Sequence, residues 1–396
     1  MVEHGQSLPV SFDFSTGAKG STGRFTSLTQ AAMDYPLDEM HVDGNRIGFK
    51  LGGSIVFDGV LAGQNISGTF KDGSGVGSFE LSRVQSPKLP YDVEDVSFRN
   101  GDVVLKGTLC LPLVPGRHAA VVLVQGSGPE TRWGTNRYIA DPLAQAGVAA
   151  LIYDKRGSGE SGGDWRTAGF DDLARDALAG VTYLDGRPDI DPKRVGIHGH
   201  SQGGLIGPLA ATIAPGRIAF IVAEDTFAGP QYLQDIYRVS VAIRDLNLSP
   251  DENRKAMKIY GLFVDSARGV RSYEDFEKAS APYRDTAWFQ WMDFPPRDSW
   301  VWPWARKTSN VDSMAIWHEV RVPVLLIYGE KDALVPPDES IAKIGGALQA
   351  SETPYAAFIV PGAAHNLTNK PDPKGAFFWW HQAPGVIDTV VTWIAA

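Results

Sequence analysis

Gly199-His200-Ser201-Gln202-Gly203 sets a serine between two glycines, directly after the apolar run Val195-Gly196-Ile197 and before a helix-like stretch from Gln202 to about Ile213. A serine at such a strand–turn–helix junction is held in a strained backbone, and the glycines remove side chains that would collide with strand and helix. Its hydroxyl then stands exposed at a helix N-terminus, where free N–H groups and the positive dipole end favour negative charge. A hydroxyl of this kind needs a base, and the base needs an orienting acid. With an elbow serine the expected chain order is serine, acid, histidine. Asp332 follows the apolar run Val322–Tyr328 in Gly329-Glu330-Lys331-Asp332, and His365 follows Tyr355–Val360 in Pro361-Gly362-Ala363-Ala364-His365. Ser201, Asp332 and His365 are therefore the expected nucleophile, acid and base of an acyl-transfer site.

Competing assignments exist for each position. Glu224 and Asp225, after the run Ile218–Ala223, occupy the alternative acid position, and Asp332 and Glu330 also suit a plain surface turn. His381, His318, His198 and His200 read as packing or surface residues. No H-E-x-x-H or comparable ligand spacing occurs, so no metal is expected. An oxyanion needs two N–H donors. Gln202, the residue after the nucleophile, supplies one; Ser127 in the loop Gln125-Gly126-Ser127-Gly128-Pro129 is expected to supply the other, with Gln125 and Gly126 as substrate contacts.

The elements that must position these residues divide into two blocks. Residues 1 to 88 read as an all-β domain: Ile47, Phe49 and Leu51 alternate with polar or small neighbours, as do Phe79 and Leu81. Asp43-Gly44, Asp58-Gly59 and Asp72-Gly73 are expected as hairpin turns of a small meander or partly closed barrel. The block shows no cluster of catalytic residue types. Ser86-Pro87-Lys88-Leu89-Pro90 is the expected boundary. Residues 89 to 396 open with a hairpin turning at Asn100-Gly101. The apolar runs Ala119–Val124, Val148–Tyr153, Val195–Ile197, Ile218–Ala223, Val322–Tyr328 and Tyr355–Val360 then alternate with helical stretches. That pattern predicts an α/β fold with a doubly wound, mostly parallel sheet buried on both faces. A helical insertion at about 226–318 breaks the alternation, where such folds bind ligands. It carries Trp288, Trp291, Trp300, Trp302, Trp304 and Trp317, six of the 11 tryptophans, with Tyr283, Phe289 and Phe294 close by. Most should pack the insertion's own core, with one or two of Trp288, Trp291, Trp300 and Trp302 facing the substrate pocket.

Composition narrows the function classes. A net charge of −9 repels phosphate backbones, so nucleic acid is not an expected partner. No apolar run approaches the ~20 residues of a membrane span. The start, MVEHGQSLPVSFDF, lacks the basic residues and apolar core of a secretory leader, which predicts a cytoplasmic location unless a leader has been removed. The lone Cys110 excludes an internal disulfide and any multi-cysteine metal site, and it sits in an alternating run expected to be a buried strand. Self-association is left open.

Taken together, residues 91 to 396 resemble the α/β-hydrolase superfamily. The resemblance extends to Asp154-Lys155-Arg156-Gly157-Ser158-Gly159-Glu160-Ser161, similar to the D-x-R-G-x-G-x-S loop after the fourth strand. With Gly126-Ser127-Gly128-Pro129, this loop is similar to that of a bacterial serine-esterase group whose members often carry an N-terminal β domain. Gly68-Thr69-Phe70 through Leu81-Ser82-Arg83 is similar to the close of that domain. The resemblance implies cofactor-free hydrolysis of small-molecule carboxylic esters beneath a cap. One departure stands out: such loops usually begin His-Gly, and this one begins Gln125-Gly126. Thioester, lactone and peptide hydrolysis and acyl transfer use the same machinery. An oligopeptidase would need a far larger N-terminal propeller, and a dehalogenase an aspartate at position 201. A non-catalytic binding protein would have no use for an intact Ser-Asp-His set.

Overall fold

The computed structural model describes residues 1–396 apart from Lys19, Ser74, Pro87 and 373–378. The catalytic-type residues ride on an eight-stranded sheet formed by β1 (Tyr91–Asn100), β2 (Val103–Pro112), β3 (His118–Val124), β4 (Ala149–Tyr153), β5 (Ile190–His200), β6 (Ile221–Glu224), β7 (Val324–Gly329) and β8 (Tyr355–Val360). Its order is β1-β2-β4-β3-β5-β6-β7-β8. β1 and β2 form the hairpin that turns after Asn100, β2 pairs antiparallel with β4, and the remaining neighbours are parallel.

Side chains alternate across β3 because strand residues point to opposite faces. Ala119, Val121 and Leu123 pack with α1 (Thr135–Gln145) and α5 (Val386–Ala395). Ala120, Val122 and Val124 pack with α2 (Phe170–Asp185), α3 (Gln202–Ile213) and α4 (Pro337–Ala350). Both faces are apolar because both are covered, which is why these strands read as continuous Val/Ile/Leu/Ala runs. Cys110 belongs to this core, and burial pushes its thiol up to about 11. Between β6 and β7 the chain forms a helical excursion from Gln231–Ala242 to Ser313–Trp317. Among the described residues, no helix is long and apolar enough to cross a membrane.

The N-terminal block is a nine-stranded antiparallel sheet among the described residues, a meander closed at one edge by the extreme N-terminus pairing with Val76–Ser82. Phe25, Phe49, Phe57, Phe70 and Phe79 fill its core. Asp43-Gly44 and Asp72-Gly73 sit at hairpin ends as expected, but Asp58-Gly59 does not. It lies inside the strand Ile55–Ala62, paired with Gly48 and Gly68. The reason is steric: a Cβ on Gly68 would stand 2.1 Å from Asp58 O and one on Gly59 would stand 2.8 Å from the Phe79 ring. Glycine here serves close strand contact, not a turn.

The two sheets share no strand, yet they are joined firmly. Asp34 forms an ion pair with Arg137 of α1 at 3.0 Å, and that arginine is 1% exposed. Met33 and Gly134 exchange backbone hydrogen bonds at 3.2 and 2.9 Å. The Arg24 guanidinium lies 3.8 Å from the centre of the Trp133 ring, within cation–π range. Of the expected boundary segment, Pro87 lies outside the described residues; its neighbours 83–86 and 88–90 belong to neither sheet.

Candidate active site

Ser201 joins β5 to α3 with φ 54° and ψ −112°, a region that side chains other than glycine rarely enter. The surroundings hold it there. A Cβ on Gly199 would lie 2.1 Å from Gly203 O, and one on Gly203 would lie 2.2 Å from Val124 O. Ser201 N–H donates to Glu224 O at 2.8 Å, and Gly204 N–H donates to Ser201 O at 2.9 Å. The turn is therefore locked at both ends by the adjoining strands.

Asp332 and His365 come together from the ends of β7 and β8. His365 Nδ1 lies 2.8 Å from Asp332 Oδ2, while Asp332 Oδ1 accepts the N–H groups of Leu334 and Val335 at 2.7 and 3.0 Å. Lys331 N–H donates to Ala363 O at 2.7 Å and ties the two loops together. A Cβ on Gly329 would fall 2.4 Å from Ala364 O, so only glycine lets the histidine loop pass so close to β7. Ser201 makes no hydrogen bond to His365 here, as is common before substrate tightens such a site.

The two alternative acids take other partners. Glu224 Oε1 lies 2.9 Å from His198 Nε2. Asp225 is fully buried, and its oxygens accept Gly329 N–H at 2.9 Å and Asn366 N–H at 3.1 Å. Burial and the adjacent Asp332 push its carboxyl well above the usual aspartate range. Ligand atoms of Asp225, Asp332 and His365 lie within 4.8 Å of one another. Every carboxylate oxygen of that cluster already accepts a backbone or imidazole N–H, which suits an orienting network.

Gln125-Gly126-Ser127-Gly128-Pro129 leaves β3 beside this edge. Ser127 is exposed, Gly128 adopts φ 89°, and among the described residues neither Ser127 N–H nor Gln202 N–H donates to a protein acceptor. Gln125 is buried, and its Nε2 donates to Tyr153 O. Lys155, from the Asp154–Ser161 loop, donates to Gly126 O and to Gln202 Oε1, the latter at 3.1 Å. Burial lowers its ammonium to about 8 despite the opposing charge of Glu130. In the sequence Lys155 stands out only as part of its loop motif, and Glu130 carries no local signal. Asp154, in the same motif, braces the loop by accepting Arg132 and Glu160 N–H at 2.9 Å each.

A cavity of about 390 Å³ opens beside the reactive edge, between the histidine loop, α5, the segment after β3 and the N-terminal sheet. His200, read from sequence as a packing or surface residue, lines it, and its ring centre is 5.1 Å from that of His365. None of Trp288, Trp291, Trp300 and Trp302 does. Trp288 and Trp302 belong to the insertion's own core, Trp291 is 43% exposed, and Trp300 meets Trp165 edge-on at 4.9 Å. The N-terminal block, in which no chemistry was read, supplies one wall of this cavity through Gln30–Ala32 and Tyr35.

The family model described as serine aminopeptidase, S33 (Hydrolase_4) matches residues 115–372. An esterase of Thermotoga maritima, EstD, is 30% identical over 187 residues, 42% of this chain and 44% of its own. The quorum-quenching protein AidA of Acinetobacter baumannii is 30% identical over 143 residues, 36% of this chain and 45% of its own. The matched regions span less than half of each of these curated relatives. A solved esterase structure from Pyrococcus furiosus is 22% identical, covers 72% of this chain and 88% of its own, and has a TM-score of 0.46.

Proposed function

From the premise that this chain belongs to the Hydrolase_4 family of α/β-hydrolases, described as serine aminopeptidase, S33, we propose that it hydrolyses carboxylic esters through an acyl-enzyme. The observation that carries this reading is a strained, glycine-flanked Ser201 on the same sheet edge as the Asp332–His365 hydrogen bond. In the proposed cycle Ser201 Oγ attacks the ester carbonyl as His365 Nε2 takes its proton. Asp332 holds Nδ1–H and stabilises the imidazolium. The tetrahedral oxyanion accepts the N–H groups of Ser127 and Gln202. His365 then protonates the departing alcohol, and water attacks the acyl-serine by the reverse sequence.

We further propose residues 1–88 as an N-terminal β domain and 89–396 as the catalytic domain, with 226–318 as a cap. The aromatic content of that cap favours small to medium apolar or aromatic ester groups. The relative named as an esterase, EstD, supports an oxygen ester as the substrate. Labelling with a fluorophosphonate probe tests the nucleophile, and turnover of p-nitrophenyl esters of graded chain length tests the substrate class. Failure of Ser201 to label, with no ester turnover by folded protein, would overturn the proposal. Faster turnover of matched thioesters or aminoacyl amides would reassign the leaving group.

A further inference from the structure

The cavity beside the reactive edge lies one residue away from each reacting group. Gly126 precedes Ser127, His200 precedes Ser201, Asn366 follows His365, and all three line it. Three polar atoms of its lining are buried without a hydrogen-bond partner, and one of them, His198 Nε2, is taken up by its ion pair with Glu224 at 2.9 Å. Gln125 is 2% exposed and commits Nε2 to Tyr153 O, while its Oε1 is buried without a partner. His200 Nε2 is likewise buried without a partner. Such orphans cost free energy unless a ligand satisfies them.

The charges present narrow the ligand further. Glu130 and Glu224 line the cavity and no lysine or arginine does, which disfavours an anionic group. Glu224 is already held by His198 at 2.9 Å, and Glu130 is balanced by Lys155, so neither is left to receive an ammonium. Burial and the neighbouring His365 lower the His200 imidazole to about 3, leaving it neutral. The unsatisfied pair is therefore an amide oxygen and one nitrogen of a neutral imidazole. A hydroxyl matches both, donating to Gln125 Oε1 and accepting from His200 Nε2–H in that tautomer.

We propose that this cavity holds one limb of the substrate and selects a limb bearing a neutral hydroxyl, with the N-terminal sheet forming part of the specificity wall. The proposal rests on the ester-hydrolase reading. Its test compares kcat/KM for the p-nitrophenyl esters of hexanoic, 6-hydroxyhexanoic, 6-aminohexanoic and adipic acids, the last as its monoester. The wild type should favour the hydroxy ester over the plain ester about three- to tenfold, the range expected of one added neutral hydrogen bond, and should turn over the anionic ester least. Gln125→Met should erase that preference. Ala32→Phe, which fills the cavity from the N-terminal sheet, should lower hexanoate relative to acetate turnover and keeps the test intact if Gln125→Met does not fold. Equal rates on the hydroxy and plain esters, a preference for the amine, or a hydroxyl preference surviving in both variants would overturn the proposal. In those cases Ser201 labels and acetate esters still turn over. Absence of both would instead sink the ester-hydrolase reading, and this proposal with it.

Discussion

Asp332 Oδ2 and His365 Nδ1 stand 2.8 Å apart, and Asp225 braces the same junction by accepting N–H groups from Gly329 and Asn366. Two buried carboxylates thus surround one histidine with separate tasks: one faces the imidazole, the other faces the backbone that carries it.

That division predicts different responses to matched substitutions. Asp332→Asn should lower kcat by roughly 10⁴, because the imidazole loses its orienting acceptor. Asp225→Asn should cost less than about tenfold in kcat but about 1–3 kcal/mol of stability, since an amide NH2 would face a backbone donor. Glu224→Gln should leave kcat within a small factor. Steady-state rates and thermal melts on the three variants check this, and the reverse kcat ranking would move the acid to β6.

Ser201→Ala should lower kcat by about 10⁴ or more while leaving the melting transition in place, because the three residues act as a unit. Relief of the backbone strain at φ 54° is not expected, as alanine meets the same restriction. Wild-type turnover in the purified variant would exclude Ser201 as nucleophile.

Lys155 should impose an alkaline limb. Its ammonium holds Gly126 O and Gln202 Oε1, and burial lowers it to about 8. Above that pH the charge-assisted contacts weaken, so kcat/KM should fall with an apparent pKa near 8. The stability effect has the opposite sign. Between about 8 and the ordinary lysine value the unfolded chain binds the extra proton, so this group's contribution to stability rises with pH. Lys155→Met should be slower and lack the limb; a limb that persists in the variant belongs to another group.

The insertion's tryptophans should separate into two kinds. Trp288→Ala, at 2% exposure in the insertion's core, should destabilise by about 3–5 kcal/mol, and Trp302→Ala similarly. Trp291→Ala and Trp300→Ala should alter stability little and, where the side chain meets substrate, raise KM for a bulky apolar ester more than for an acetate ester. An unchanged KM ratio in both would leave the pocket lined from elsewhere.

Limited proteolysis should cut near residues 84 to 92, where 84–86 and 88–90 belong to neither sheet and Tyr91 begins β1. The fragments should still co-elute in size exclusion, because the buried Arg137–Asp34 pair and the Met33–Gly134 bridge link them. Separation on cleavage alone would show those contacts to be weak.

Much of this molecule is legible along the chain because its signals are local. Gly199 announces the elbow since the clash it avoids, with Gly203 O, lies within five residues, whereas Gly203 answers to Val124 on the adjoining strand. The strands that carry Ser201, Asp332 and His365 are readable because a parallel sheet covered on both faces must be apolar throughout. Asp58-Gly59 misleads for the converse reason: its glycine answers to Gly68 on the neighbouring strand and to Phe79 one strand beyond, which no local pattern reveals. Only the tertiary structure decides which carboxylate faces His365, since Asp225 and Asp332 both follow strand ends and differ in what surrounds them. Only it brings Gln125, His200 and the N-terminal residues Gln30–Ala32 around one cavity. Those residues are far apart in sequence and ordinary in type, and only their burial and juxtaposition, with Gln125 Oε1 and His200 Nε2 unpartnered, set them apart.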